Sequence, residues 1–427
     1  MEIINNYSGS DTTMTSNRWL PWCICFAASL FFFYEFIQGN MFASIADDIM
    51  RDFHIQADSL TYLSSVYYLS NVLFLFIAGI ILDRFSAKKT IVIAMLFCVI
   101  STFVLANVHT FALAVMCRFI TGIGSAFCFL GPIRIASRWF PAKRMALITG
   151  LIVTIAMSGG MLAQYPLTKL VLYIGWRSAM VWLGWLGLCI LGLMIVFIQD
   201  KPSTQTTSPT KIGILDSAKI AYLNPQTLLA ALYASLMNMA IAVFGAVMGS
   251  LYLMQRLQIN KADASLINSM LFLGTIIGGP VMGWCSDKWG IRLTPMKIGA
   301  YSALLIVLAI LYAPMSYSMM VCLFFLLGLF TASQVISYAL VAESSDVAMT
   351  ATAVSVVSIL TQSGYVLYQN IFSYLLLKQG DMRMIAGVPT YSLHDYQFAA
   401  MILPLGLVLA IALLFGLRET YCRRSQG

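Results

Sequence analysis

Gly79-Ile80-Ile81-Leu82-Asp83-Arg84-Phe85-Ser86-Ala87-Lys88-Lys89 and Gly283-Trp284-Cys285-Ser286-Asp287-Lys288-Trp289-Gly290-Ile291-Arg292 are two versions of one phrase, 204 residues apart. Each follows a long apolar run, opens on glycine and sets an acid four residues later with bases close behind. A second match, Ser158-Gly159 with Ser363-Gly364 and Gln164 with Gln369, recurs at 205 residues. Two unrelated patches that share nearly one offset indicate a chain made of duplicated halves.

The apolar runs around these phrases define the solvent. The chain has 427 residues, of which 60% are hydrophobic and only 10% charged, with a mean hydropathy of +0.85. A soluble domain carries about 25% charged residues, so a water-facing surface is excluded. Apolar runs recur at 20–46, 59–82, 89–108, 111–137, 145–168, 174–198, 226–254, 264–286, 294–313, 317–341, 350–377 and 396–417. A spanning helix needs roughly 20 apolar residues, so these are twelve transmembrane helices, six per half, in a parallel repeat about the membrane normal. The expected organisation is a polar tail at 1–17, a six-helix bundle at 18–198, a linker at 199–224, a second bundle at 225–418 and a tail at 419–427. The polar tail lacks a basic n-region and cleavage site, so the first run reads as a retained helix.

Twelve spans put both termini on one side. Sixteen Lys and Arg fall on that side and seven on the other, with Arg118 and Arg134 inside span 4. The bias places both ends in the cytoplasm. It also accounts for the net charge of +8 as orientation, not nucleic-acid binding. The other side holds Asp47, Asp48, Asp52 and Asp58. Seven of the nine cysteines (Cys23, Cys25, Cys98, Cys117, Cys128, Cys189, Cys322) lie in apolar runs and read as buried free thiols. His54, His109 and His394 lie outside the spans. With no Cys-x-x-Cys pair either, no metal site, nucleophilic triad or cofactor is implied.

The doubled Gly-x-x-x-Asp-[Arg/Lys]-x-Gly-x-[Arg/Lys] loop resembles the hallmark of the major facilitator superfamily. Arg118-Phe-Ile-Thr-Gly122-Ile-Gly124 looks like that family's span-4 motif, and Arg138-Trp139-Phe140-Pro141 and Gly175-Trp176-Arg177 look like its loop motifs. The first loop departs from the pattern in having Ser86 where glycine is usual, which alters the tight turn expected there. Span 5 lacks the Gly-Pro-Gly-Gly character of drug and proton antiporters. The loops and length are similar to the phagosomal nutrient transporters of intracellular bacteria, which import amino acids and nucleosides. The resemblance implies an all-α membrane protein of twelve helices in two pseudo-symmetric bundles.

The loop chemistry stands apart from the family. Asp83 or Asp287 at a helix end can accept backbone N–H groups and pair with a nearby base. Gly79, Asp83, Arg84, Arg134, Gly283, Asp287, Lys288, Gly290, Arg292 and Glu343 are therefore the expected cytoplasmic gate, a latch between the halves. Glu343 and Asp346 have no base in their own loop and call for Arg292 or Lys288. A solvated surface pair, worth at most about 1 kcal/mol, is the alternative.

Glu35 is the one acid deep inside a span, near the midplane of span 1. A carboxylate there should face an interior cavity and pair, or be protonated. It reads either as a substrate or proton site or as a structural hydrogen-bonding acid. Gln38 shares its face. Arg118 is by the resemblance a bundle-ordering or proton-assisting residue; its alternative is a structural arginine bonded to backbone carbonyls. Ser358, Gln362, Tyr365 and Gln369 form a polar stripe on span 11. Ser235 and Asn238, Gln334, Ser337 and Tyr338, Tyr67, Tyr68 and Asn71, and Asn268 extend polar faces to spans 7, 10, 2 and 8. Together they predict a wet central cavity, although interhelical hydrogen bonds explain any single member.

The expected function is secondary transport of a small polar solute across the bacterial inner membrane by alternating access. Uptake of an amino acid, in one version a basic one such as arginine, suits one acid among neutral donors and acceptors. Proton coupling follows if Glu35 binds a proton. The alternatives are export of a metabolite or siderophore, nucleoside import and a receptor without flux. The expected partners are the substrate, the lipid bilayer and protons, with the protein a monomer. A membrane-embedded enzyme lacks a nucleophile–base pair within the spans.

Overall fold

A computed structural model describes residues 19–140, 144–200, 223–345, 350–379, 383–385 and 388–422. The predicted tail at 1–17, most of the linker at 199–224 and Asp346 lie outside the described residues. Ten described helical spans are long and apolar enough to cross a membrane: Leu20–Asn40, Ala87–Asn107, Phe111–Trp139, Ile148–Ile174, Trp176–Phe197, Pro225–Leu257, Lys261–Trp289, Leu293–Tyr312, Tyr317–Glu343 and Leu393–Gly416. Two more long helices, Ala57–Arg84 and Thr350–Gln379, lie among them. In chain order these are spans 1 to 12, with Ala57–Arg84 as span 2 and Thr350–Gln379 as span 11.

Spans 1, 4, 7 and 10 are interrupted. Span 1 bends at Met41 and continues as Phe42–Phe53. Span 4 unwinds between Ser125 and Leu130, and span 10 tightens to a 3₁₀ turn at Ala332–Gln334. These two spans start at Phe111 and Tyr317, 206 residues apart, and the same offset carries Ala126 onto Ala332. Span 7 holds a π-helical segment, Ile241–Met248. A π segment breaks the ordinary ladder and frees carbonyls, which require outside donors. Three buried amides supply them: Gln164 Nε2 donates to Gly245 O (2.8 Å), Asn268 Nδ2 to Phe244 O (3.0 Å) and Gln369 Nε2 to Ala242 O (3.0 Å). Gln164 and Gln369, paired by the sequence repeat, thus serve the same helix from opposite halves.

The face away from the termini, here the distal face, is closed across the halves. Lys261 of span 8 bridges Asp47 and Asp48 of the span-1 extension, its Nζ standing 2.7 Å from Asp48 Oδ2. Thr168 Oγ1 donates to Ser265 Oγ (2.8 Å), and Asn268 Nδ2 to Gln164 Oε1 (2.7 Å). The rings of Tyr68 and Tyr365 lie 4.6 Å apart. A two-stranded hairpin, β1 (Arg383–Ile385) and β2 (Val388–Thr390), precedes span 12. Just beyond it Tyr391 Oη accepts the N–H of Ala57 at the start of span 2 (3.3 Å). Nothing in the sequence pattern announced this hairpin.

The terminal face differs. Its described charged contacts each stay within one half. Asp200 takes up Ser86 and Arg138 in the first half, and Arg292 takes up Asp287 and Glu343 in the second. A Cβ added to Gly79, Gly150, Gly279 or Gly283 meets nothing within 4 Å, whereas at Gly160, nearer the distal face, it would strike Phe272 across the halves. Among the described residues the bundle is therefore shut distally and parted at the terminal face. All nine cysteines are free, but Cys23, Cys189 and Cys322 are exposed on the outer surface of the bundle. The expectation of burial fails for them because an apolar span turns part of its circumference to lipid.

Candidate functional site

Spans 1, 2, 3 and 4 bring the predicted charges together inside the first half. Glu35 is 1% exposed. Tyr67 Oη donates to its Oε2 at 3.1 Å and lies 3.1 Å from its backbone carbonyl. Glu35 Oε1 has no partner. Cys98 Sγ of span 3 donates to Thr121 O of span 4 (3.6 Å). Arg118 is 0% exposed, and its guanidinium carbon lies 4.6 Å from the ring centre of Tyr67 and 4.9 Å from that of Phe42. The sequence reading turned Glu35 towards an open cavity. The structure instead seats it among side chains of its own half.

Other predicted residues are held by neighbours. Gln38 Nε2 donates to Thr102 Oγ1 (2.9 Å), which also takes the Tyr34 hydroxyl. Tyr68 donates to Gly39 O (2.8 Å), so backbone bonding pins its ring at the Tyr365 contact. Asn71 Nδ2 donates to Ser125 Oγ (2.7 Å), leaving its Oδ1 without a partner. Asn238 bonds back to Ala234 O of its own helix. Asn268 and Gln369 give amide N–H groups to the π segment and so support span 7, while Asn268 Oδ1 and Gln369 Oε1 stay without a partner. Gln334 keeps an unpartnered Oε1, Gln362 is half-buried, and Tyr338 lies against Ser358 and Thr361. Those last three lie on spans 10 and 11, where Ser337 Oγ and Gln369 Oε1 are also buried without a partner.

The gate residues split. Arg292 is 8% exposed. It holds Asp287 Oδ1 at 2.6 Å, Glu343 Oε1 at 2.6 Å and Ser286 Oγ at 2.9 Å. Burial opposes its charge, but the hydrogen bonds to Glu343 and Asp287 outweigh it and raise its pKa above the ordinary arginine value. Glu419, three residues past the end of span 12, accepts the N–H groups of Arg292 and Leu293 (both 2.7 Å) and so caps span 9. Thr420 donates to Glu343. This cluster ties spans 8, 9 and 10 to the end of the second half, so it is not the inter-half latch the loops suggested. Lys288 is elsewhere, over the Trp284 ring at 4.7 Å. Gly290 ends span 8 with φ +69°, a conformation that favours glycine. In the first half Arg84 is exposed and Arg134 half-buried, while the Asp83 side chain lies outside the described residues.

Sequence reasoning missed Lys261 and Gln164. In the sequence Lys261 is only one of few bases on the distal side, and no spacing links it to Asp47 and Asp48. Gln164 stands out in the sequence only as the repeat mate of Gln369, because the π segment that takes its N–H leaves no mark there.

The model of the Major Facilitator Superfamily matches residues 24–248 and 230–421. The chain is 25% identical over 327 residues to the membrane sensor protein UhpC of Salmonella typhimurium, covering 71% of this chain and 72% of that protein. It is 22% identical over 287 residues to the lysosomal dipeptide transporter MFSD1 of Danio rerio, covering 62% and 61%. Among solved structures it superposes on a bacterial homologue of the human lysosomal transporter Spinster, inward-facing and unoccupied. The TM-score there is 0.77 at 17% identity, over 98% of this chain and 100% of that one.

Proposed function

Since this chain belongs to the Major Facilitator Superfamily and is a multi-pass secondary transporter of the inner membrane rather than an enzyme, we propose that it imports an amino acid by alternating access. In this reading both termini are cytoplasmic, the distal face is the outer one, and the conformation described is inward-facing. The predicted domain boundaries serve as the two rocking bundles.

The observation that carries the substrate reading is Glu35, a membrane-buried carboxyl group with one oxygen fixed by Tyr67 and the other unpartnered. An amine on the solute gives that oxygen a charge-assisted partner. In the version with arginine as cargo, either its α-ammonium or its guanidinium meets Glu35. A proton on Glu35 instead makes transport proton-coupled.

Uptake of labelled amino acids into proteoliposomes tests this. One charged hydrogen bond is worth about 1.5–3 kcal/mol, so Glu35→Gln should lower uptake at sub-saturating substrate by roughly ten- to a hundredfold. Unchanged kinetics and pH dependence would remove Glu35 from the mechanism. Ligand binding without flux in the wild type would make the protein a receptor, and flux in the export direction only would make it an exporter of a metabolite or siderophore.

A second reading is nucleoside import. It draws on the unpartnered Gln334 Oε1 and the half-buried Gln362, neutral groups suited to a nucleobase edge. Competition of labelled arginine uptake by nucleosides against a panel of amino acids separates the two.

A further inference from the structure

Arg118 is fully buried, yet none of its three guanidinium nitrogens has a hydrogen-bond partner. Glu35 acts on it electrostatically, but the described contacts include no ion pair between them. Phe42 and Tyr67 lie against the guanidinium at 4.9 and 4.6 Å, contacts that use its π faces and spend none of its N–H groups. A buried arginine in this condition is costly, and the cost is relieved by an anion presenting two coplanar oxygens to the fork.

Tyr67 connects the two charges. Its hydroxyl holds Glu35 Oε2 and its ring lies against Arg118. The acid and the base therefore stand one tyrosine apart, each with bonding capacity left over. Asn71, one turn further along span 2, adds an unpartnered Oδ1. A cation alone answers Glu35 and leaves Arg118 unsatisfied. A neutral solute answers neither charge. A zwitterion, with ammonium and carboxylate on one carbon, answers both.

The second half has no such pair. Span 7 begins 205 residues after span 1 and span 10 begins 206 after span 4, which sets Ala240 opposite Glu35 and Phe324 opposite Arg118. Both are buried, and Phe324 packs on Phe244 with ring centres 5.9 Å apart. The charge recognition is therefore confined to the first half.

We propose that Arg118 is the receptor for the carboxylate of a zwitterionic substrate whose ammonium is held by Glu35. This deepens the amino-acid reading above and rests on it for the ammonium end only. Because Arg118 is sealed in the conformation described, the carboxylate reaches it at another stage of the transport cycle.

The test uses the full-length protein in detergent and in proteoliposomes. Thermal shift and uptake competition are measured with L-amino acids, with their amides, which keep the ammonium and lose the carboxylate, and with acetate, succinate and inorganic phosphate. The wild type should prefer each acid to its amide by about tenfold or more, the expected loss when one charge-assisted pair is removed. In Arg118→Met the preference should fall to near unity. In Glu35→Gln it should persist, with weaker binding of both. If Arg118→Met does not fold, Arg118→Lys, which keeps the charge but not the fork, should narrow the preference and spare the melting temperature. An unchanged acid-to-amide ratio in a folded Arg118 variant overturns the proposal. If no amino acid binds the wild type, the amino-acid reading fails on its own. The Arg118 site then survives only if a simple anion stabilises the wild type and not Arg118→Met, and it falls if none does. Stabilisation by phosphate but not by the carboxylates overturns the carboxylate assignment.

Discussion

The two halves share a chain trace and divide the labour. At the same register inside each bundle, the first half buries Glu35 and Arg118, and the second buries Ala240 and Phe324. At the terminal face the assignment reverses. The first half has exposed Arg84, a serine turn at Ser86 and the partly exposed Arg138–Asp200 pair (3.7 Å). The second half has buried Arg292 with three polar side chains around it. Asp200 and Glu419 each stand three residues past the last span of their half and accept N–H groups at the start of the third span. The duplicated scaffold kept that carboxylate cap in both copies. Chemistry then settled in the middle of one copy and rigid anchoring at the end of the other.

The strongest way to break this comparison is to force the first half's chemistry onto the second. Phe324→Arg removes a packed aromatic ring, worth about 3–5 kcal/mol, and leaves a charge without a partner at membrane depth. Folded, monodisperse protein should be lost on size-exclusion chromatography in detergent. A variant that melts within a few degrees of the wild type would show that the second half also accommodates charge there, and the asymmetry would carry no function.

A smaller effect compares the anchors. Arg292→Ala strands Glu343, 16% exposed, while Asp287, 70% exposed, is taken up by water, so losing the charged hydrogen bonds to Glu343 should cost about 1.5–3 kcal/mol. Arg138→Ala, at a partly exposed pair, should cost under about 1 kcal/mol. Thermal melts of the two variants side by side measure the gap. Equal losses would mean that the two terminal faces are energetically alike.

The fold was legible because its signals are repetitive: twelve apolar runs, two copies of one loop and a shared offset. Glu35 and Arg118 were legible for a different reason, since a charge inside an apolar run is conspicuous. Orientation within the bundle was not legible. A polar residue on a span can turn to a cavity, a neighbouring helix or an irregular backbone, and the residue type is the same in each case. Asn268 and Gln369 went to the π segment of span 7, and Asn238 turned back on its own helix. Glu343 shows the remaining gap. The predicted boundaries already put Arg292 and Glu343 in one half, but that they meet each other instead of a partner across the halves follows from packing that no spacing records.

A third prediction sharpens the contrast between the closed and the parted face. Lys261 is 8% exposed and joins the halves through Asp47 and Asp48. Lys261→Gln leaves those two acids together without their cation, so the closed distal face loses stability relative to its open form. A tenfold population shift, about 1.4 kcal/mol, is expected. It is read as faster maleimide labelling, from the distal side, of a Ser265→Cys background in which Ser265 is otherwise fully buried. An unchanged labelling rate would show that the bridge is not what holds that face shut.

The least effect belongs to the turns, where Ser86 of the first loop stands at the position of Gly290 in the second. Gly290 sits at φ +69° and Ser86 at φ −58°, where its Oγ accepts the Lys89 N–H as an N-cap. Placing a side chain at the first position costs about 1 kcal/mol, because left-handed backbone crowds Cβ against the carbonyl. Removing the side chain at the second costs a few tenths, since glycine is itself a tolerated N-cap. Gly290→Ala should therefore lower the melting temperature more than Ser86→Gly, and exchanging the two residues in a double variant should restore neither loop. The first copy turns through its cap and the second through its glycine, so the serine is a different solution to the same bend. If Ser86→Gly proved the more damaging of the two, its bond to Asp200 would outweigh the capping geometry, and the first half's terminal face would be better anchored than its exposure suggests.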